Sequence, residues 1–427
     1  MPEILEPLGR VNFPLIGNSL VIGLFSLLHI ALASLAVGFM ILAPIFEGID
    51  QGNRFYAEVA HGLTRFTMVT FTASLVLAVI MVELFVGLFP RTNSWMFNQF
   101  RYPIYLAIGA FFLQLFCLYP YYHFWEPIRR RSPALHRALG FLAAFFILVW
   151  VAVLDGMGSY MLTPASAEGD WANLMNPTWL PLVVHRFFGN FVFAGFAIAA
   201  YAGWMLGRGR GDPEREAYYA PLLKIGFLIG LAALLIQPFT GLFYATQIRS
   251  ASPEAYAQLI RGRYQWLVYL QFVLIAFLFT GSHLILRSIR AERGRTLPGE
   301  WLLFGSALLM VLFVERPAVR RLFTFLLVGF SLFYLYRWRE GLRAAGGDQL
   351  NRSPVRRLAV WLGIVSLLTY WTMGTIRETA RRPDTVRNVI SLYDEARLKT
   401  AGPGAGGQGS VNITSNAGPP APDTRPP

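Results

Sequence analysis

Charge is scarce in this chain. Asp, Glu, Lys and Arg together make up 14% of its 427 residues, against about 25% in soluble domains, which argues against an ordinary soluble enzyme. Cysteine is scarcer still, with Cys117 standing alone. A single cysteine excludes a disulfide framework, a Cys-rich zinc or iron–sulfur site, and a covalently attached c-type haem, which needs Cys-x-x-Cys-His. Acidic residues are outnumbered, 24 against 37 Lys and Arg, for a net charge of +13. The basic residues fall in short Arg clusters between long apolar runs. That is the pattern of membrane-protein loops and not of a nucleic-acid-binding face.

What the chain has in quantity is apolar length. A spanning helix needs about 20 apolar residues, and ten runs qualify as candidates: 14–46, 64–89, 102–124, 134–159, 179–207, 221–246, 264–286, 300–314, 318–337 and 356–377. The eighth, Trp301 to Val314, is short and joins the next through Glu315-Arg316-Pro317. The expected fold is therefore an all-α polytopic membrane bundle of nine or ten helices. The first run is too long for a signal peptide and is expected to stay in the mature protein. No internal repeat is visible. Placing the N-terminus outside gives the inner loops, such as Arg129-Arg130-Arg131, about twice the Arg and Lys of the outer ones. Residues 1–383 form the expected membrane domain. Residues 384–399 are expected as a short outer-surface helix, and the Gly- and Pro-rich stretch from Ala401 as a disordered tail.

Ionisable groups at membrane depth are costly and are candidates for function. His29 lies well inside the first run, and His185 about two turns into the fifth. His61, His123, His136 and His283 fall near the inner ends of their spans and read as interfacial polar residues. A buried imidazole in a bundle without disulfides is either a satisfied core histidine or an axial ligand of non-covalent haem. Glu83, Asp155 and Glu378 fall in the same half of the bilayer as His29 and His185. That convergence points to one site, with Arg186 and Arg381 placed to balance propionates. Glu378 reads equally as a helix-end ion pair with Arg381 or Arg382. The segment 247–263 holds Arg249, Glu254, Tyr256, Gln258, Arg261 and Arg263. It is either a plain interfacial loop or a quinol head-group site.

These residues resemble the large haem-carrying subunit of cytochrome bd quinol oxidases. Arg10-Val11-Asn12-Phe13 is similar to the family's N-terminal Arg-x-x-Phe. His29, Gly38 and Glu47 match the spacing of its first helix. Thr92-Asn93-Ser94-Trp95 resembles its Gly-Thr-Asn-Trp segment, Asn176-Pro177 with Val184-His185 the start of its fifth helix, and Glu378-x-x-Arg381-x-Pro383 its Glu-x-Gly-Arg-Gln-Pro-Trp. The resemblance implies a bacterial plasma-membrane redox subunit. His29 becomes an axial ligand of an active-site haem, of the b or d type, and His185 a ligand of a low-spin haem b. Glu378 becomes the ligand or near neighbour of a high-spin haem b, Arg381 and Arg186 propionate partners, Glu83 a catalytic carboxylate, and Arg249 with Glu254 the quinol site. It also implies a second membrane subunit and, as electron acceptor, oxygen or a partner redox protein such as a cytochrome c or an iron–sulfur protein.

The chain departs from the family in four places, one of them an extra span in the region 300–340. The two proton-path glutamates of the third helix are replaced by Leu106 and Gln114. Residues 264–290 contain no methionine to stand opposite His185, which leaves Met161 and Met373 as candidates. The Trp after the proline is Asp384. Two other function classes compete: a haem-free quinone-binding anchor of a respiratory complex, and a transporter. The transporter is disfavoured, because no pair of interrupted helices occupies corresponding halves.

Overall fold

In a computed structural model, the chain is described at residues 13, 15, 17–49, 52–165, 169–208, 211–289 and 299–392. Arg10 to Asn12, residues 393–399 and the tail from Ala401 lie outside the described residues.

The chain is helical almost throughout, and the helices occur in this order: α1 (Asn18–Ile49), α2 (Arg54–Leu88), α3 (Pro90–Gln99), α4 (Arg101–His123), α5 (Trp125–Arg131), α6 (Pro133–Leu162), α7 (Asp170–Leu174), α8 (Trp179–Arg208), α9 (Pro213–Ala251), α10 (Pro253–Arg261), α11 (Gln265–Ile289), α12 (Glu300–Leu312), α13 (Pro317–Arg337), α14 (Arg339–Ala344), α15 (Gly347–Leu350) and α16 (Ser353–Ala380). Nine of those described are long and apolar enough to cross a membrane, namely α1, α2, α4, α6, α8, α9, α11, α13 and α16. The chain is a multi-pass membrane protein. Each exposes apolar side chains as lipid demands, for example Val69, Val76 and Val79 on α2 and Phe112 and Phe116 on α4.

The helices begin where local chemistry lets them. Pro at the first turn and a hydroxyl or carboxylate cap recur: Ser132 caps α6, Asp212 caps α9 and Ser252 caps α10 through side-chain bonds to the first free amides. Several helices outrun the apolar stretch that predicts them. α2 starts ten residues before the hydrophobic run, and α9 extends at both ends. Polar flanks stay helical in water or at the headgroups, so hydropathy alone places those ends too early or too late.

α12 is only 13 residues long, yet it carries the chain from one end of the bundle to the other. Its Glu300 pairs with Arg287 near the end of α11 at 3.0 Å. The turn beyond it puts Glu315 within 2.8 Å of both Gln265 and Tyr269 near the start of α11.

The core centres on α8 and α9. A Cβ on Gly195 would collide with the Gly230 backbone, so the two helices meet backbone to backbone, as small residues permit in a bilayer. Phe196, Leu223 and Phe227 beside this crossing are fully buried. α16, α1 and α11 pack around the pair.

The two ends of the bundle differ. One carries α3, α7, α10 and a short hairpin of β1 (Asp384–Val386) and β2 (Ile390–Ser391). The other carries α5, α14, α15 and the Arg clusters. The hairpin corrects the expected helix over 384–399 for its described part. Asn388 takes a positive φ of 55° at the turn, a conformation Asn tolerates. The Arg387 amide docks on the Met161 carbonyl at 3.0 Å, and extended backbone there satisfies donors that a helix would turn inward.

Candidate functional site

His29 sits on α1 facing α2. Its Nδ1 lies 2.9 Å from the Ser74 carbonyl oxygen and 3.0 Å from the Ser74 hydroxyl. A carbonyl only accepts, so Nδ1 carries a proton, and in the neutral ring Nε2 is then the nitrogen left with a lone pair. His29 makes no other ring hydrogen bond among the described residues.

His185 reaches the same state by a different route. Its Nδ1 lies 3.1 Å from the Thr240 hydroxyl on α9. That hydroxyl gives its one proton to the Gln237 carbonyl at 3.1 Å, so its oxygen accepts from Nδ1–H and Nε2 again keeps its lone pair. Gln237 closes the loop by donating to the His185 carbonyl at 2.9 Å. Gly241 lets the imidazole lie against α9, since a Cβ there would come within 3.2 Å of the ring. The Tyr244 ring stacks beside His185 with centroids 6.1 Å apart. Its hydroxyl is buried without a hydrogen-bond partner among the described residues.

These two environments fit haem. A haem iron takes four nitrogens from its own macrocycle and needs only axial bonds from protein. Ligating histidines characteristically give their other ring N–H to a carbonyl or another acceptor, which fixes tautomer and orientation. Both histidines do so. Among the described residues no three His, Cys, Asp or Glu side chains gather as a cage for a bare metal ion.

Charge gathers near them. Arg186 is an electrostatic neighbour of both imidazoles. It pairs with buried Asp155 on α6 and reaches the Tyr370 hydroxyl on α16 at 3.4 Å. Tyr370 in turn meets Asn190 at 3.4 Å and Ser34 on α1. Four helices are thus tied by one polar network. Arg377 lies against Gly158 on α6.

Glu378 stands at the end of α16, more than half exposed, and pairs with Arg381. Arg381 also donates to the Met161 sulfur at 3.1 Å, so that methionine is engaged by a guanidinium. Burial pulls the Arg381 pKa down and the Glu378 carboxylate opposes it. Met373 is partly exposed on α16. Glu83 is exposed on α2 and has no ion pair or hydrogen bond among the described residues. The structure does not bring it to the histidines.

The 247–263 segment is not a plain loop. α9 runs to Ala251 and α10 begins at Pro253. Arg249 stands over the Tyr256 ring at 6.0 Å. Glu254 pairs at 3.1 Å with Arg387 of the hairpin, whose guanidinium also bonds Gln258 at 2.9 Å and the Ala380 carbonyl at 3.1 Å. Arg387 was missed in the sequence. Its only signal there was a position a few residues past the last span.

Two of the four supposed interfacial histidines are corrected. His61 and His123 are exposed, but His136 is fully buried and His283 is 2% exposed. His136 is held by Glu47 at 2.7 Å, and His283 is enclosed by Phe304, Tyr334 and Trp338. Of the replaced third-helix positions, Leu106 is exposed. Gln114 is buried, and its carbonyl accepts from Trp150 at 2.8 Å.

A family model described as cytochrome bd terminal oxidase subunit I matches residues 20–280. Among solved structures, the bd oxidase from Geobacillus thermodenitrificans is similar in fold, with a TM-score of 0.52 and 14% identity over 86% of this chain and 96% of that one. A search of curated proteins finds no match.

Proposed function

Because the chain belongs to the cytochrome bd terminal oxidase subunit I family, we propose that it is a haem-carrying membrane electron-transfer subunit that oxidises quinol. The observation that carries this reading is the shared state of His29 and His185: each Nδ1 is held by a protein acceptor, and neither Nε2 has a hydrogen-bond partner among the described residues. Haem bound through these lone pairs supplies a one-electron carrier between quinol and the final acceptor. The chain's own residues orient and insulate. Ser74 and Thr240 fix the imidazoles, the Arg186–Asp155–Tyr370 network sets the local charge, and Arg381 with Glu378 closes the α10 end.

Quinol binds, in this reading, at the end carrying α10. Arg249 and Glu254 offer a cation for the head group and a carboxylate for its protons. The basic loops put the opposite end on the inner side of the bacterial plasma membrane by the positive-inside rule, so quinol protons leave outside. In this reading the final acceptor would be oxygen or a partner redox protein, with His29 the residue that would hold the haem nearest to it, and a second membrane subunit would complete the complex.

One observation favours the second reading, a haem-free quinone anchor. Arg186 and Arg381, the candidate propionate partners, already pair with Asp155 and Glu378. The visible spectrum of the purified complex separates the two. Soret and α bands that shift on dithionite reduction, and that each lose part of their intensity in His29→Ala and His185→Ala, support haem. A colourless preparation made with ample haem supply overturns it.

A further inference from the structure

A second buried polar cluster lies in the half of the bundle away from α10. Glu47 on α1 is 3% exposed and His136 on α6 fully buried. Their contact is 2.7 Å between Nδ1 and Oε1. The other ring nitrogen of His136, Nε2, faces the Tyr121 carbonyl oxygen at 3.1 Å. That oxygen only accepts, so Nε2 carries a proton. The Nδ1–Oε1 contact then requires a second proton, on the imidazole or on the carboxyl. Without it, a carboxylate would face a nitrogen lone pair. The other carboxyl oxygen accepts from the Tyr121 hydroxyl at 3.0 Å. The pair is therefore neutral with one proton between its members and buried-anionic without it.

The cluster has two polar flanks. Toward the Arg-rich end, Trp125 packs edge-on against His136 at 4.5 Å and stacks on exposed His61 at 4.7 Å. The charged and titratable neighbours here are Tyr121 on α4, Arg129 and Glu126 on α5, and His61 and Arg65 on α2. Gly140, one turn after His136, gives the Tyr121 ring its place, since a Cβ would come within 2.8 Å of it. In the other direction, Thr64 interacts with Tyr121. From it Thr67, Thr70 and Ser74 continue along one face of α2, each hydroxyl buried. The threonines donate to the carbonyls one turn back, which leaves their oxygen lone pairs as acceptors. Steps of three or four residues rise about 4.5–6 Å, the spacing at which one water would link successive hydroxyls. The line ends at the Ser74 hydroxyl, 3.0 Å from His29. Carboxylate–histidine chains at membrane depth are suited to proton relay. Here the stripe supplies a polar connection on α2, where Leu106 and Gln114 on α4 offer no carboxylate.

We propose that Glu47 and His136 store one exchangeable proton taken up at the Arg-rich end, and that the α2 hydroxyls Thr64, Thr67, Thr70 and Ser74 conduct it to the His29 site. The delivery half rests on the haem reading above, whereas the storage half does not.

The test uses the full chain with its partner subunits in lipid nanodiscs, labelled with ¹⁵N-histidine. Wild-type His136 is expected to show a single one-proton transition in its ring ¹⁵N signals as the pH is stepped across the range the nanodiscs tolerate. Glu47→Gln should abolish it, and Tyr121→Phe, which removes one donor to the carboxyl, should shift its midpoint. Thr67→Val with Thr70→Val should leave the transition in place and abolish fast proton uptake on haem reduction. Constant His136 signals throughout overturn the proposal and make the pair a structural clamp. Unchanged uptake in the double valine variant overturns the route. A colourless protein overturns the haem reading and the delivery half with it, while the His136 transition still decides storage.

Discussion

The Nδ1–H of His29 points at the Ser74 carbonyl oxygen, 2.9 Å away on the next helix and 45 residues along the chain. The bond is to backbone, so no substitution of Ser74 removes its acceptor. Ser74→Ala deletes only the hydroxyl and is expected to retain haem content and cost about 1 kcal/mol or less in stability. His29→Ala is expected to lose one haem. Haem-to-protein ratios of the two variants check the contrast, and equal haem loss in both would show that the hydroxyl, not the carbonyl, orients the ring.

At His185 the supporting acceptor is a side chain and can be removed. Thr240→Val keeps shape and deletes the oxygen that receives Nδ1–H. Loss of such an outer partner typically weakens binding about 10- to 100-fold. Haem dissociation and the reduction potential of the low-spin signal are expected to change, with the fold intact by circular dichroism. Unaltered values in both would remove Thr240 as the residue that orients a ligating His185.

Asp155 is 3% exposed and its partner Arg186 is partly buried. Removing one member strands a charge at membrane depth, which costs about 3–5 kcal/mol in buried pairs. The exposure of Arg186 puts Asp155→Asn near the lower end of that range. Arg186→Gln in the same chain should restore much of the loss, because the uncompensated charge is gone. A double-mutant cycle by thermal unfolding measures this, and additive losses would show that the two residues act separately.

The spans were legible because a bilayer demands about 20 apolar residues in a row, and nine of the ten runs met that demand, the short run at α12 being the exception. The turns of α2 before Thr64 and of α9 before Pro221 were not legible, since helix there is kept by caps and tertiary packing without an apolar signature. Buried His136 escaped for a different reason. Its partner Glu47 is 89 residues away, and distance along the chain hides a pairing that three helices create. The histidine ligand candidates were visible as residues, but their tautomers were not. Those depend on the Ser74 carbonyl and the Thr240–Gln237 bond, contacts that no single-helix pattern encodes.

The α10 end gives the last prediction. Arg387 is 5% exposed and joins the hairpin to two helices: the end of α16 through the Ala380 carbonyl, and α10 through Gln258 and Glu254. If quinol docks beside Arg249 and Glu254, Arg387 holds the carboxylate in place without touching the head group. Arg387→Ala should then raise KM for quinol more than it lowers kcat. It should also lower Tm, as loss of these bonds costs about 1–3 kcal/mol when a buried acceptor is left unpaired. Arg249→Ala with Glu254→Ala should slow haem reduction by quinol yet leave reduction by dithionite untouched, since dithionite bypasses the site. The pair of measurements discriminates: a purely structural hairpin contact would lower Tm in Arg387→Ala with quinol kinetics unchanged, and unchanged kinetics in the Arg249 and Glu254 double variant as well would place quinol elsewhere on the bundle.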